Sequence, residues 1–151
     1  MKIISGGQTG VDRAALDAAM KHGIACGGWC PAGRQDEFGR IPDHYPVHEL
    51  SDGGEAERTL QNVIDSDATV IFYHDKIVGG TEHTLRCCNE HGRPRLLIAA
   101  AKVSSHAAAN LILDFVRREN IEILNVAGPR QTEWPDGYNY SFAALERFLA
   151  P

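Results

Sequence analysis

The sequence predicts an α/β fold, a Rossmann-like three-layer sandwich with a mainly parallel sheet of about five strands. Three observations predict it. Short apolar runs alternate with stretches of helical spacing along the whole chain. Glycine-bearing loops follow several of those runs. The 151 residues, 43% hydrophobic and 23% charged, have the balance of one globular domain spanning 1–151.

Lys2 to Ser5 reads as a buried strand, and Val11 to His22 as a helix with Val11, Ala14, Ala15, Ala18 and Ala19 on one stripe. Ile24 to Trp29 is a second, short strand, followed by an irregular segment to about Gly54. Helical spacing returns over Glu55 to Ser66, and Ala68 to Tyr73 is the clearest buried strand. Thr81 to His91 reads as a helix stopped by Gly92 and Pro94, and Arg95 to Ala101 as the fourth strand. Ser105 to Glu119 is amphipathic through Ala108, Leu111, Ile112, Phe115 and Val116. Glu122 to Ala127 is the fifth strand, and a closing helix runs from Ser141 to Leu149.

In a parallel sheet ligands bind where loops leave the carboxyl ends of strands. Here those loops are Ser5-Gly6-Gly7-Gln8-Thr9-Gly10, Cys30-Pro31-Ala32-Gly33-Arg34, Gly79-Gly80-Thr81 and Gly128-Pro129-Arg130. Gly10 and Gly80 lead into helices, whose free N–H groups suit a phosphate. Thr9 and Thr81 add hydroxyls, and Arg34 and Arg130 add charge. Arg13 either reaches back over its loop to the anion or pairs with Asp17 at i,i+4. Trp29 and Trp134 either stack on a heterocycle or pack internally. The expected binding set is Gly6, Gly7, Gln8, Thr9, Gly10, Arg13, Arg34, Gly79, Gly80, Thr81, Gly128 and Arg130.

Other chemistries find less support. The first loop lacks the Lys-Ser/Thr of a Walker A sequence, and no acid follows the second strand to hold a ribose, so ordinary NAD binding is disfavoured. His83 and His91 stand roughly 12 Å apart along one helix and cannot share an ion. Cys26, Cys30, Cys87 and Cys88 read as free thiols. A net charge of −5 argues against nucleic acid as a partner. The longest apolar stretch, Leu96 to Ala101, cannot span a bilayer, and the opening residues lack a signal-peptide pattern; no membrane partner and a cytoplasmic location are expected.

Taken together, Ile4 to Arg13, Gly28 to Arg34, Asp65 to Thr69, Gly79 to Thr81 and Asn125 to Arg130 resemble the putative molybdenum cofactor carrier family, the circularly permuted YpsA-like branch of the SLOG superfamily. The resemblance covers nearly the whole chain. It implies a Rossmann-like fold, a small phosphate-bearing ligand (molybdenum cofactor or a nucleotide derivative) and a homo-oligomer. Relatives of the LOG type are nucleoside monophosphate phosphoribohydrolases with the signature Pro-Gly-Gly-x-Gly-Thr-x-x-Glu. This chain has Val78-Gly79-Gly80-Thr81-Glu82-His83-Thr84, with Thr84 where the glutamate falls. The leading expectation is therefore a non-catalytic binder, with no catalytic residue and no protein-held metal. A nucleotide-processing enzyme or a nucleotide-sensing domain is the alternative.

Overall fold

Apolar runs buried on both faces pair as parallel strands, and helices cover the exposed faces. In the computed structural model, which describes residues 1–151, the chain begins β1 (Lys2–Ile4), α1 (Val11–Lys21), β2 (Ala25–Gly27), β3 (Trp29–Cys30), β4 (Gln35–Asp36), β5 (Gly39–Arg40) and β6 (His48–Glu49). It continues α2 (Glu55–Ile64), β7 (Ala68–Tyr73), α3 (Gly79–Glu90), β8 (Arg95–Ala99), α4 (Ser105–Arg118), β9 (Ile123–Ala127) and α5 (Gly137–Leu149). The central sheet is fully parallel in the order β2-β1-β9-β7-β8. Counting β9 first turns this into 3-2-1-4-5, the first five strands of the Rossmann order, so the order itself records a circular permutation.

Strand parity divides the core. Ile3, Val70, Phe72, Leu124 and Val126 face the larger apolar cluster, built with α1, α4 and α5. The alanines of α1 let it lie close: Ala14, Ala15, Ala18 and Ala19 are fully buried. The opposite face carries α2 and α3, with Val63, Cys87 and Cys88 packed together. On that face Thr69 and Asn125 are paired in register and buried.

The segment between β2 and α2 has more order than the sequence predicts. It holds a parallel β3–β6 pair and the β4–β5 hairpin, around a satellite core of Cys30, Ile41, Tyr45 and Val47 packed on Leu16. Two-residue strands are too short for a periodic signal, which is why the segment reads as irregular. Strand β2 ends at Gly27 because Gly28 turns the chain at φ +126°, with its Cα against the Ser5 backbone. Helix α3 starts at Gly79 instead of Thr81, and α5 at Gly137 instead of Ser141. Glycine is a poor helix former, so neither first turn is visible to propensity.

Gly28 and Gly80 offer a contrast. A Cβ at Gly28 would lie 2.1 Å from the Ser5 carbonyl oxygen, whereas one at Gly80 would meet nothing within 4 Å. Gly28→Ala is expected to destabilise by about 3 kcal/mol or more and Gly80→Ala by less than about 0.5 kcal/mol, as read from urea unfolding midpoints.

Candidate functional site

The carboxyl ends of β1, β9 and β7 open onto one cavity of about 380 Å³. It lies at the crevice beside the switch point, where the chain order reverses between β9 and β7. Gly6 and Gln8 line it from the loop after β1, and Gly79, Gly80 and Thr81 from the start of α3. Gly128 and Arg130 line it from the segment after β9. These seven members of the expected set come together. Gly7, Thr9, Gly10, Arg13 and Arg34 do not line the cavity, and each has another partner.

Gly7 faces the satellite core: a Cβ there would lie 3.3 Å from Ile41 Cδ1. At Gly10 the close neighbour is the chain itself, with the Pro129 carbonyl oxygen 2.7 Å from where a Cβ would stand. The α1 start is thereby closed off by residues 129–131 instead of opening to a ligand. Thr9 Oγ1 donates to Glu37 and accepts from the Gln131 N–H at 3.1 Å. Arg13 pairs neither with an anion site nor with Asp17. Its Nη2 donates to the Gly7 carbonyl at 3.0 Å and to Asp36 Oδ2 at 2.8 Å, and its guanidinium covers the Tyr45 ring. Asp17 accepts instead from the Tyr138 hydroxyl at 2.5 Å. Arg34 donates to four carbonyls, of Ile41, Pro42, Tyr45 and Val47, and so organises the inserted segment.

Neither tryptophan covers the cavity. Trp134 is buried in the main core against Tyr140, and Trp29 donates from Nε1 to Asp65 at 2.7 Å. Asn62 clamps the Trp29 backbone with both amide atoms, at 2.8 and 3.0 Å, fixing α2 against β3.

Arg58, outside the expected binding set, also lines the cavity. From the first turns of α2, Arg58 lies over Gly6, where a Cβ would stand 1.7 Å from Nη1. Its Nη1 donates to Asp12 Oδ2 at 3.0 Å, and its Nε is buried without a partner. An arginine just past Gly53-Gly54 was the available signal. Burial pushes the Asp12 carboxyl above the ordinary aspartate value, against the pull of Arg58 and the Gln8 N–H. Asp12 Oδ2 accepts from that N–H at 3.3 Å, and the Asp12 carbonyl accepts from Ser5 Oγ at 3.0 Å.

At the rim Arg130 stands between two carboxylates, 3.2 Å from Glu133 and 4.0 Å from Glu55. Glu55 also accepts from Gln8 Nε2 at 3.1 Å. On α3, the Gly79, Gly80 and Thr81 N–H groups precede the first helical bond, which runs from the Glu82 N–H to the Val78 carbonyl. Thr84 donates back to the Gly80 carbonyl at 3.1 Å, and Glu82 is exposed and does not line the cavity.

Fold and site define a permuted Rossmann-type domain with one polar, donor-rich crevice. The chain belongs to the circularly permuted YpsA SLOG family, whose model matches residues 3–149. Among solved structures it is similar to one named as a putative molybdenum carrier protein from Syntrophus aciditrophicus SB. That similarity has a TM-score of 0.96 at 44% identity, covering 99% of this chain and 94% of that one. No curated protein matches it. No helix is long and apolar enough to cross a membrane.

Two expected outcomes follow from the charges. Asp12→Ala strands Arg58 and the Gln8 N–H, and is expected to destabilise by about 3 kcal/mol in urea unfolding. Glu37 is held below the ordinary glutamate value of 4.5: burial raises it, but hydrogen bonds from Thr132 and Thr9 outweigh that. A lowered native value means stability that is complete above pH 4.5 and is lost as pH falls from there through the native value. Glu37→Gln should therefore lower the neutral-pH Tm and flatten the acid limb of Tm against pH.

Proposed function

We propose that this protein is a carrier that holds a phosphate-bearing heterocycle in the β9–β7 crevice, with molybdenum cofactor as its cargo. The observation that carries this reading is the first turn of α3 at the cavity wall. Three N–H groups without helical acceptors, at Gly79, Gly80 and Thr81, adjoin the Thr81 hydroxyl there. A helix start of this kind favours a dianionic phosphate through both dipole and direct hydrogen bonds. Arg58 supplies a guanidinium with a spare buried N–H.

The residues fit such a cargo. The volume of about 380 Å³ lies in the range of small-molecule sites. No three His, Cys, Asp or Glu side chains are placed to hold a metal ion, so a carried metal would be held by the cargo's own ligands. The name of the Syntrophus aciditrophicus relative supports carriage. Binding without turnover is favoured because Glu82 does not line the cavity and Thr84 spends its hydroxyl on its own helix. A nucleotide derivative is the second reading, favoured by the permuted Rossmann order, whose switch-point crevice takes nucleotides in other proteins. We extend the proposal to a homo-oligomer acting in the cytoplasm.

Protein purified without oxygen and then denatured should release a pterin phosphate with molybdenum, detected by mass spectrometry. Release of a nucleotide alone would favour the second reading, and release of nothing would count against both. Thr81→Val should weaken retention by about fivefold, the worth of one hydrogen bond. AMP, GMP, CMP and UMP should yield no free base above background; turnover would establish the enzyme instead.

A further inference from the structure

The cavity floor holds a polar group that the phosphate reading leaves unused. Asn125 lies within β9, in register with Thr69 of β7, and is only 3% exposed. Its Nδ2 donates to Thr69 Oγ1 at 3.1 Å, which orients the amide. Its Oδ1 accepts no hydrogen bond from the protein, and because the residue lines the cavity that oxygen is left open to it. An amide oxygen held in place by Thr69 and open to a cavity is a ready acceptor for a ligand N–H.

The position also says which part of a ligand reaches it. Asn125 stands two residues inside the carboxyl end of β9 at Ala127, roughly 7 Å below the rim at strand rise. A phosphate monoester dianion offers only acceptor oxygens and would meet the Oδ1 atom oxygen to oxygen. The donors that suit phosphate lie on α3 and α2, at Gly79 to Thr81 and Arg58.

The geometry points to Asn125 as the residue that reads a ring N–H edge of the ligand, so that the ring enters first and the phosphate stays at the rim. This rests on the phosphate-binding reading above and deepens it. The ligand class is a planar heterocycle bearing an N–H or amino donor, such as the amino-lactam edge that guanine and pterins share. Thr69 is a positioning residue that keeps the acceptor turned toward the cavity.

Calorimetric titration with four probes tests it: inorganic phosphate, ribose 5-phosphate, GMP and dihydroneopterin monophosphate. The unaltered protein should bind at least one of the two ring-bearing probes more tightly than ribose 5-phosphate. Asn125→Leu should weaken that probe about tenfold and leave inorganic phosphate and ribose 5-phosphate within about twofold. In the unaltered protein, the Asn125 side-chain amide NMR signals should shift with the ring-bearing probe and not with phosphate; this measurement stands even where the variant fails to fold. Equal weakening of ribose 5-phosphate, no weakening of the ring-bearing probe, or no preference for a ring would each overturn the assignment. Failure of phosphate and all three phosphate esters to bind would instead sink the reading beneath it.

Discussion

The buried carboxylate of Asp12 is the constraint on which the binding end of this molecule depends. One side chain, 5% exposed, ties together the loop after β1 through the Gln8 N–H and α2 through Arg58. Its backbone carbonyl also takes the Ser5 hydroxyl. Attraction between ions 3.0 Å apart is of the order of 5 kcal/mol at an effective dielectric near 20, and desolvating both ions costs about as much. The pair therefore contributes placement more than net stability. It sets Arg58 directly on Gly6, and no side chain larger than hydrogen fits beneath it. The glycine-rich opening is thus a surface on which the chain folds its own parts, with Gly28 against Ser5 and Pro129 against Gly10.

This arrangement sets the charge balance of the cavity. Its lining holds Asp12, Glu55 and Glu133 against Arg58 and Arg130, so three carboxylates face two guanidiniums. Excess positive charge is not available. On the proposed reading, affinity for phosphate would come from oriented N–H groups at the start of α3, which act without counterions to displace. The inserted segment between β2 and α2 serves this end indirectly. Arg34 holds it together, Arg13 fastens it to the first loop, and Glu37 joins it to Thr132 beyond β9.

The sheet was legible because its strands are the apolar runs, and Ala68 to Tyr73 needed no context to be read. The edge on which the loops gather followed from parallel strands alone. The arginines were less legible. Arg13, one turn past Gly10, and Arg34, beside Gly33, look like anion ligands, yet carbonyl oxygens and carboxylates attract guanidinium as well as phosphate does. Sequence spacing cannot say which acceptor is nearest, and here it is Gly7 and Asp36 for one and four carbonyls for the other. Asn125 opens one of the quoted motifs, but its direction was not legible. Inside an apolar strand it reads as an interruption, and only the register with Thr69 shows which way it faces.

The permuted strand order bears on how the chain acquires this shape during synthesis. The central strand, β9, is the last of the sheet to be made, and it separates β1 from β7. Until residues 123–127 leave the ribosome, the β2-β1 pair and the β7-β8 pair have no shared neighbour and stay as two exposed ribbons. Pairing Ile3 with Leu124 closes a loop of nearly the whole chain, an arrangement that slows folding and leaves apolar edges waiting in water. The ligand crevice, with walls from the first loop, α3 and β9, comes into being at that same late step. A nascent chain therefore has no partial pocket, and the crevice exists only in the finished molecule.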